Sequence, residues 1–177
     1  MLRSVKFRTN YRCFKEGTEF TFRSGLNLVV GDNGCGKSTL LKLLAENNTD
    51  ILDIDADLTE SYFLDLEHNN PRTANYVEHG YQVASIFSSH GESNNALLNT
   101  VNRIPDNTVT LIDEPDMSLS IRSISKLYKT LKKNSKDKQI ICSVHNLLLI
   151  SSVDEVLSLE HSEWINSQEF IALSKES

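Results

Sequence analysis

The stretch GDNGCGKST, residues 31–39, constrains this chain more than any other part of it. It follows the apolar run LNLVV and opens KSTLLKLLAE, whose apolar residues recur at helical spacing. A strand, a glycine-rich turn and a helix in that order build a loop that cradles phosphate. Gly31, Gly34 and Gly36 permit backbone angles that let several N–H groups converge on phosphate oxygens. The helix N-terminus behind them adds partial positive charge. Lys37 can reach β and γ phosphates, and the Ser38 hydroxyl can join a magnesium shell. Asp32, Asn33, Cys35 and Thr39 complete the nucleotide-binding stretch expected for ATP.

Two further segments carry acids and a histidine to the ends of apolar strands. In TVTLIDEP, a short β-branched strand ends in Asp113 and Glu114. Open α/β sheets place ligands at the carboxyl ends of their strands. Asp113 is therefore expected on the metal with Ser38, and Glu114 on the attacking water. In QIICSVHN, His145 follows another buried strand. Its imidazole, neutral near pH 7, can donate to a γ-phosphate oxygen. The expected catalytic set is Lys37, Glu114 and His145.

The rest of the chain reads as alternating strands and helices, which predicts an α/β domain with a parallel core. LRSVKFR and TEFTFR form an N-terminal antiparallel strand region, with KEGT turning between them. SYFLDL and EVLSL are further strands. Helices are expected over residues 72–87, from Ser89, and over 118–133. The tail EWINSQEFIAL reads as a terminal hairpin. DIDADLTE lacks the glycine and closing glutamate of a calcium loop and reads as an exposed acidic hairpin or strand. The basic run KLYKTLKKNSKDK reads as the solvated face of a helix, with lysines complementing the macrodipole.

Composition narrows the function classes. The net charge of −6 gives no global basic excess for nucleic acid, so any such role needs a local patch or a partner. The three cysteines, Cys13, Cys35 and Cys142, show no CxxC spacing and suggest a reducing compartment without a zinc site. No apolar stretch approaches membrane-spanning length, so direct membrane insertion is not expected and a cytoplasmic location is.

A phosphate loop, then a strand ending Asp-Glu-Pro, then a strand ending in His is the order of ABC-type ATPases. The opening NYRCF…GTEFTFRSGLNLVVGDNGCGKSTLL resembles the SMC-like, predicted-ATPase branch of that family. The resemblance covers nearly all of residues 1–177. It implies one ABC-type ATPase domain with a mostly parallel core sheet flanked by helices, and a much reduced helical insertion at about 67–105. It also implies an ATP-dependent homodimer in which each ATP lies between one copy's phosphate loop and the other's signature segment. Here that segment is SSHGE: Ser89 and Gly91 fall on the signature serine and second glycine, while Ser88 and His90 depart from the common Leu-Ser-Gly-Gly-Gln. The same residues form a Ser-x-x-Glu capping box, and the two roles are compatible because a capped helix N-terminus is an anion site. Arg12 resembles a basic residue near the nucleotide in SMC-like members. The glutamine expected after the phosphate-loop helix is missing, leaving Glu67 or Asn69 as substitutes, and Ser120 stands where an aspartate crosses the dimer.

Three functions fit. One is a compact ATPase whose dimerisation switches an effector protein, as in nucleic-acid processing or defence. The others are a transporter's energising subunit and a nucleotide-binding scaffold with little turnover. A metabolite kinase is a weaker fourth, because it needs an acceptor-binding lid. The short stretch between Lys37 and Ser89 leaves little room for the helical subdomain that docks on a membrane partner.

Overall fold

The computed structural model describes residues 1–57, 61–65, 90–117 and 119–175. Two sheets organise them. Strands β1 (Leu2–Phe7), β2 (Glu19–Thr21) and β4 (Leu52–Ala56) form an antiparallel sheet in the order β2-β1-β4. The second sheet has the order β5-β6-β7-β3-β8-β9. Its strands are β3 (Leu26–Val30), β5 (Ser61–Asp65), β6 (Val109–Asp113), β7 (Gln139–Ser143), β8 (Glu155–Ser158) and β9 (Glu163–Asn166). All pairings within it are parallel except β8 with β9. This is the mostly parallel α/β architecture, with an antiparallel N-terminal region, that the sequence predicts.

The five described helices are α1 (Lys37–Ala45), α2 (His90–Arg103), α3 (Ile121–Asn134), α4 (Leu147–Ile150) and α5 (Ser167–Leu173). None is long and apolar enough to cross a membrane.

Because side chains alternate along a strand, the parallel sheet serves two cores. Val29, Leu111, Ile141 and Leu157 face one side, where they meet Leu40, Leu41 and Leu44 of α1 and Phe7, Phe14 and Phe20 of the antiparallel region. Leu28, Val30, Ile112, Cys142 and Val156 face the other, against Leu97 and Val101 of α2 and Ile124, Leu127 and Leu131 of α3. A one-residue slip in register would exchange the two sets.

The two sheets are also tied by Gln139. Its Oε1 accepts the Leu2 N–H at 2.8 Å, and its Nε2 donates to the carbonyls of Leu2 and Arg23, each at 2.8 Å. The side chain thus mimics a strand edge for β1.

The acidic stretch contains strand β4, one of the two forms expected, with Asp53 and Asp55 exposed and Leu52 buried. Other elements differ from expectation. Helix α3 begins at Ile121 rather than 118, because Ser120 is its N-cap and accepts the Ser123 N–H. The lysines at 126, 129, 132 and 133 lie on its exposed side, as expected. The tail is not a hairpin of its own: EWIN is strand β9, which pairs with the preceding β8, and the rest turns helical. Asn166 accepts the N–H groups of Gln168 and Glu169 and starts α5, so SQEFIAL is a helix, not a strand. The helix expected over 72–87 lies outside the described residues.

Candidate nucleotide site

The carboxyl ends of β3, β6 and β7 lie side by side, since Val29 is in register with Ser143 and Ile112 with Cys142. Three loops therefore emerge at one rim. Asp32, Asn33, Gly34, Cys35, Gly36, Lys37, Ser38 and Thr39 come from the first, Asp113 and Glu114 from the second, and His145 from the third. A cleft of about 330 Å³ opens between them, lined by Arg12, Cys13, Asn33, Gly34, Gly36, Lys37, Ser38, Thr39 and Glu114.

The first loop curls because its glycines adopt positive φ. Gly36, at φ 108°, caps α1 without a side-chain acceptor. A Cβ there would come within 2.5 Å of Cys13 Sγ and 2.6 Å of Phe14 Cζ, so the turn at residues 11–14 packs directly on the loop. Lys37 is buried, and its Nζ donates to the carbonyls of Gly31 at 2.8 Å and Asp32 at 2.9 Å. The ammonium thus lies inside the curve of the loop. The Asp32 N–H donates to Glu160 Oε1 at 2.9 Å. Cys35 Sγ lies 3.9 Å from Lys37 Nζ. Burial pushes the Cys35 thiol pKa up, while Lys37 pulls against it.

Arg12 reaches the loop from the other side. Its backbone has φ 50°, and its Nη1 donates to Thr39 Oγ1 at 3.2 Å. The guanidinium also stands 5.7 Å from the Tyr11 ring centre.

At the centre of the rim, two hydroxyls donate to one carboxylate oxygen. Ser38 Oγ is 3.1 Å from Asp113 Oδ1, and Ser143 Oγ is 2.6 Å from it. Ser143 Oγ also accepts the Glu114 N–H at 2.9 Å. That bond helps hold Glu114 at φ 48°, a conformation that costs a residue with a side chain about 1–3 kcal/mol. Glu114 then points at His145, with Oε1 2.9 Å from Nε2. An ionised carboxylate only accepts, so the geometry assigns the proton to Nε2. The sequence directs an imidazole N–H of His145 to a phosphate; here the Nε2–H serves Glu114.

Asp116 crosses between the same two loops. Its Oδ2 accepts the N–H of His145 at 2.8 Å and of Asn146 at 2.5 Å. Asn146 in turn caps α4. Beneath the rim, Cys142 is fully buried; burial, then the charges of Asp116 and Asp113, raise its thiol pKa well above the ordinary value.

The donor set fits magnesium. A hydroxyl and a carboxylate side by side are hard oxygen donors, which magnesium takes together with phosphate oxygens and water. Among the described residues, no group of three or more His, Cys, Asp or Glu forms a separate metal site.

The structure thus brings together Arg12, residues 32–39, Asp113, Glu114 and His145. Ser89, Glu67 and Asn69 lie outside the described residues. Gly91 is in the first turn of α2. Ser120 caps α3 of its own chain. Sequence reasoning missed Ser143, Asp116 and Glu160. Ser143 carried a faint signal: it is the hydroxyl that ends a wholly apolar strand core two residues before His145.

Residues 9–175 match the AAA_23 family, described as an AAA domain. Among curated proteins, the mitochondrial iron-sulfur clusters transporter ATM1 of Gibberella zeae is 30% identical over 108 residues, covering 52% of this chain and 16% of that protein. The chain therefore spans only a small part of that relative. Among solved structures, RNase-L Inhibitor superposes with a TM-score of 0.61 at 18% identity, over 89% of this chain and 37% of the other. The cbiO1 protein of Clostridium perfringens, part of the ABC transporter complex cbiONQ, gives 0.59 at 16% identity, over 97% of this chain and 91% of its own. These structural likenesses concern the fold.

Proposed function

Because the chain belongs to the AAA_23 family of ATP-binding P-loop ATPases, we propose that it hydrolyses ATP with magnesium and that ATP draws two copies into a dimer. The dimer then switches an effector protein, in a nucleic-acid-processing or defence assembly in the cytoplasm. The observation that carries this reading is the Glu114–His145 pair beside the Ser38–Asp113–Ser143 cluster, on the rim that holds Lys37.

Each residue has a distinct task. Lys37 and the loop N–H groups hold the β and γ phosphates and offset their charge. Arg12 flanks the same cleft and adds a second cation. Magnesium, when bound, supplies further charge neutralisation on those oxygens, with Ser38 and Asp113 as its protein ligands. Glu114 accepts a proton from a water as that water's oxygen bonds to the γ phosphorus. The bond to the β–γ bridging oxygen breaks, and ADP and phosphate leave. His145 donates to Glu114, which orients the carboxylate toward the water. Ser89 and Gly91, from the second copy, meet the γ phosphate and complete the site.

The energising subunit of a transporter is the alternative, and its support is the fold likeness to cbiO1, part of an ABC transporter complex. The short stretch between Lys37 and Ser89 speaks against it, because a membrane partner needs a docking subdomain there. A low-turnover scaffold is disfavoured by the presence of both Glu114 and His145 at hydrogen-bond distance.

Glu114→Gln tests the reading. The amide keeps the shape but cannot take the proton, so turnover should fall about 100-fold or more with ATP still bound. Light scattering with ATP and magnesium should then show a persistent dimer. Adding Gly91→Asp, which sets a negative charge beside the phosphate, should return the protein to monomers. Wild-type turnover in Glu114→Gln, or a dimer that survives Gly91→Asp, sinks the corresponding half of the proposal.

A further inference from the structure

Asp116 has no task in the scheme above, yet its placement is costly. The residue is only 4% exposed, and its Oδ1 is buried with no hydrogen-bond partner among the described residues. Taking a carboxylate out of water is unfavourable unless its surroundings compensate, and two backbone amides can be satisfied by a neutral acceptor. Both amides bonded by Oδ2 belong to another loop and are consecutive, His145 and Asn146. One bond would set a distance; bonds to two successive N–H groups also set how the chain leaves β7. His145 is the residue whose ring must then reach Glu114, and it does so at 2.9 Å. Charge-assisted bonds to the amides are shorter and stronger than neutral ones, which suits a contact that fixes direction.

From this geometry we infer that Asp116 is a positioning residue, which holds the His145 backbone so that the imidazole aims Glu114 at the attacking water. The inference rests on the hydrolytic reading above. A purely structural Asp116, serving only to secure α4, would change stability and leave the chemistry of His145 alone.

The test compares steady-state ATP hydrolysis by Asp116→Ala, Asp116→Asn, His145→Ala and the Asp116→Ala/His145→Ala double variant, and follows the His145 ring resonances by NMR. Asp116→Ala should lower kcat about tenfold, as misplacement of a catalytic group does, with KM for ATP within about twofold. Asp116→Asn retains an oxygen for both amides and should restore most of kcat. The double variant should be no slower than His145→Ala, because misdirection of an absent ring has no further effect. The His145 resonances should move in Asp116→Ala and stay in Asp116→Asn. If Asp116→Ala does not fold, Asp116→Ser replaces it, being polar but too short to reach the amides. Unmoved resonances, a loss confined to KM, wild-type kcat in Asp116→Ala, or a full further drop in the double variant overturns the inference. A wild-type protein without ATP turnover refutes the hydrolytic reading instead, and the resonances then decide on Asp116 by themselves.

Discussion

The two sheets use aspartate in opposite ways. On the antiparallel sheet, Arg3 pairs with Asp55 and Asp57, and Arg8 pairs with Asp53 at 3.1 Å. All of these side chains are at least 41% exposed. Water and salt compete for such pairs, which leaves them a small share of stability. On the parallel sheet's rim, Asp113 and Asp116 are each 4% exposed, and their partners are hydroxyls and amides rather than cations. There a missing partner exposes the full desolvation cost of the group left behind. The contrast shows that distance between partners is a poor guide to importance. The exposed pairs are as close as the buried ones, but only the buried ones can hold two loops in a fixed relation.

Three variants test that contrast in decreasing order of effect. Lys37→Ala should come first, since it removes the buried cation within the phosphate loop and should abolish ATP binding by calorimetry. Unchanged affinity would mean the nucleotide sits elsewhere. Ser143→Ala comes second. It removes a donor to Asp113 and the acceptor for the Glu114 N–H, both at the buried rim. Denaturant unfolding should show a loss of about 1–3 kcal/mol. A melting curve that matches wild type would place the rim's hydrogen bonds on the same footing as the surface pairs.

Arg3→Ala should have the smallest effect, a slight lowering of the melting temperature at pH 7 and ordinary salt. Its pH dependence has a definite sign. Hydrogen bonds from Arg3 hold the pKa values of Asp55 and Asp57 below the ordinary range. Their folded-state values are thus lower than their unfolded ones. The contribution is present above an unfolded pKa of about 3.9 and is lost as the pH falls through the folded values. Wild type and Arg3→Ala should therefore converge in acid. Melts taken from pH 7 down to pH 3 that diverge instead would contradict the assignment.

What could be read from the sequence was local chemistry. The 31–39 loop, the acids after β6 and the histidine after β7 each announce themselves within a few residues, because each depends on a strand followed by a polar turn. The two sheets and the parallel core were likewise legible from short β-branched runs. Ser143, Asp116 and Glu160 were not, because their significance lies in partners about 30 or more residues away: Ser143 with Asp113, Asp116 with His145, Glu160 with Asp32. Strand order and register bring these together, and a window of sequence holds neither. The tail failed for a different reason. SQEFIAL has apolar residues compatible with a strand, and the Asn166 cap decides for helix. The signature assignment on Ser89 concerns a contact between copies, which one chain's geometry does not contain.

Gln139 gives the order of events during synthesis a physical basis. Strands β1, β2 and β4 are complete once the first 56 residues have emerged, so their ladder can form early. The backbone N–H and carbonyl of Leu2, however, find their interior partner only in a side chain 137 residues further on. Contacts of such long span close late, because the intervening loop must first give up its freedom. Until then the inner face of the early sheet, including Phe7 and Phe20, has α1 and β6 to pack against but still lacks β7 and β8. A nascent chain halted before residue 139 therefore presents a paired sheet whose cover is incomplete, without Ile141 and Leu157, the form in which it most needs a chaperone.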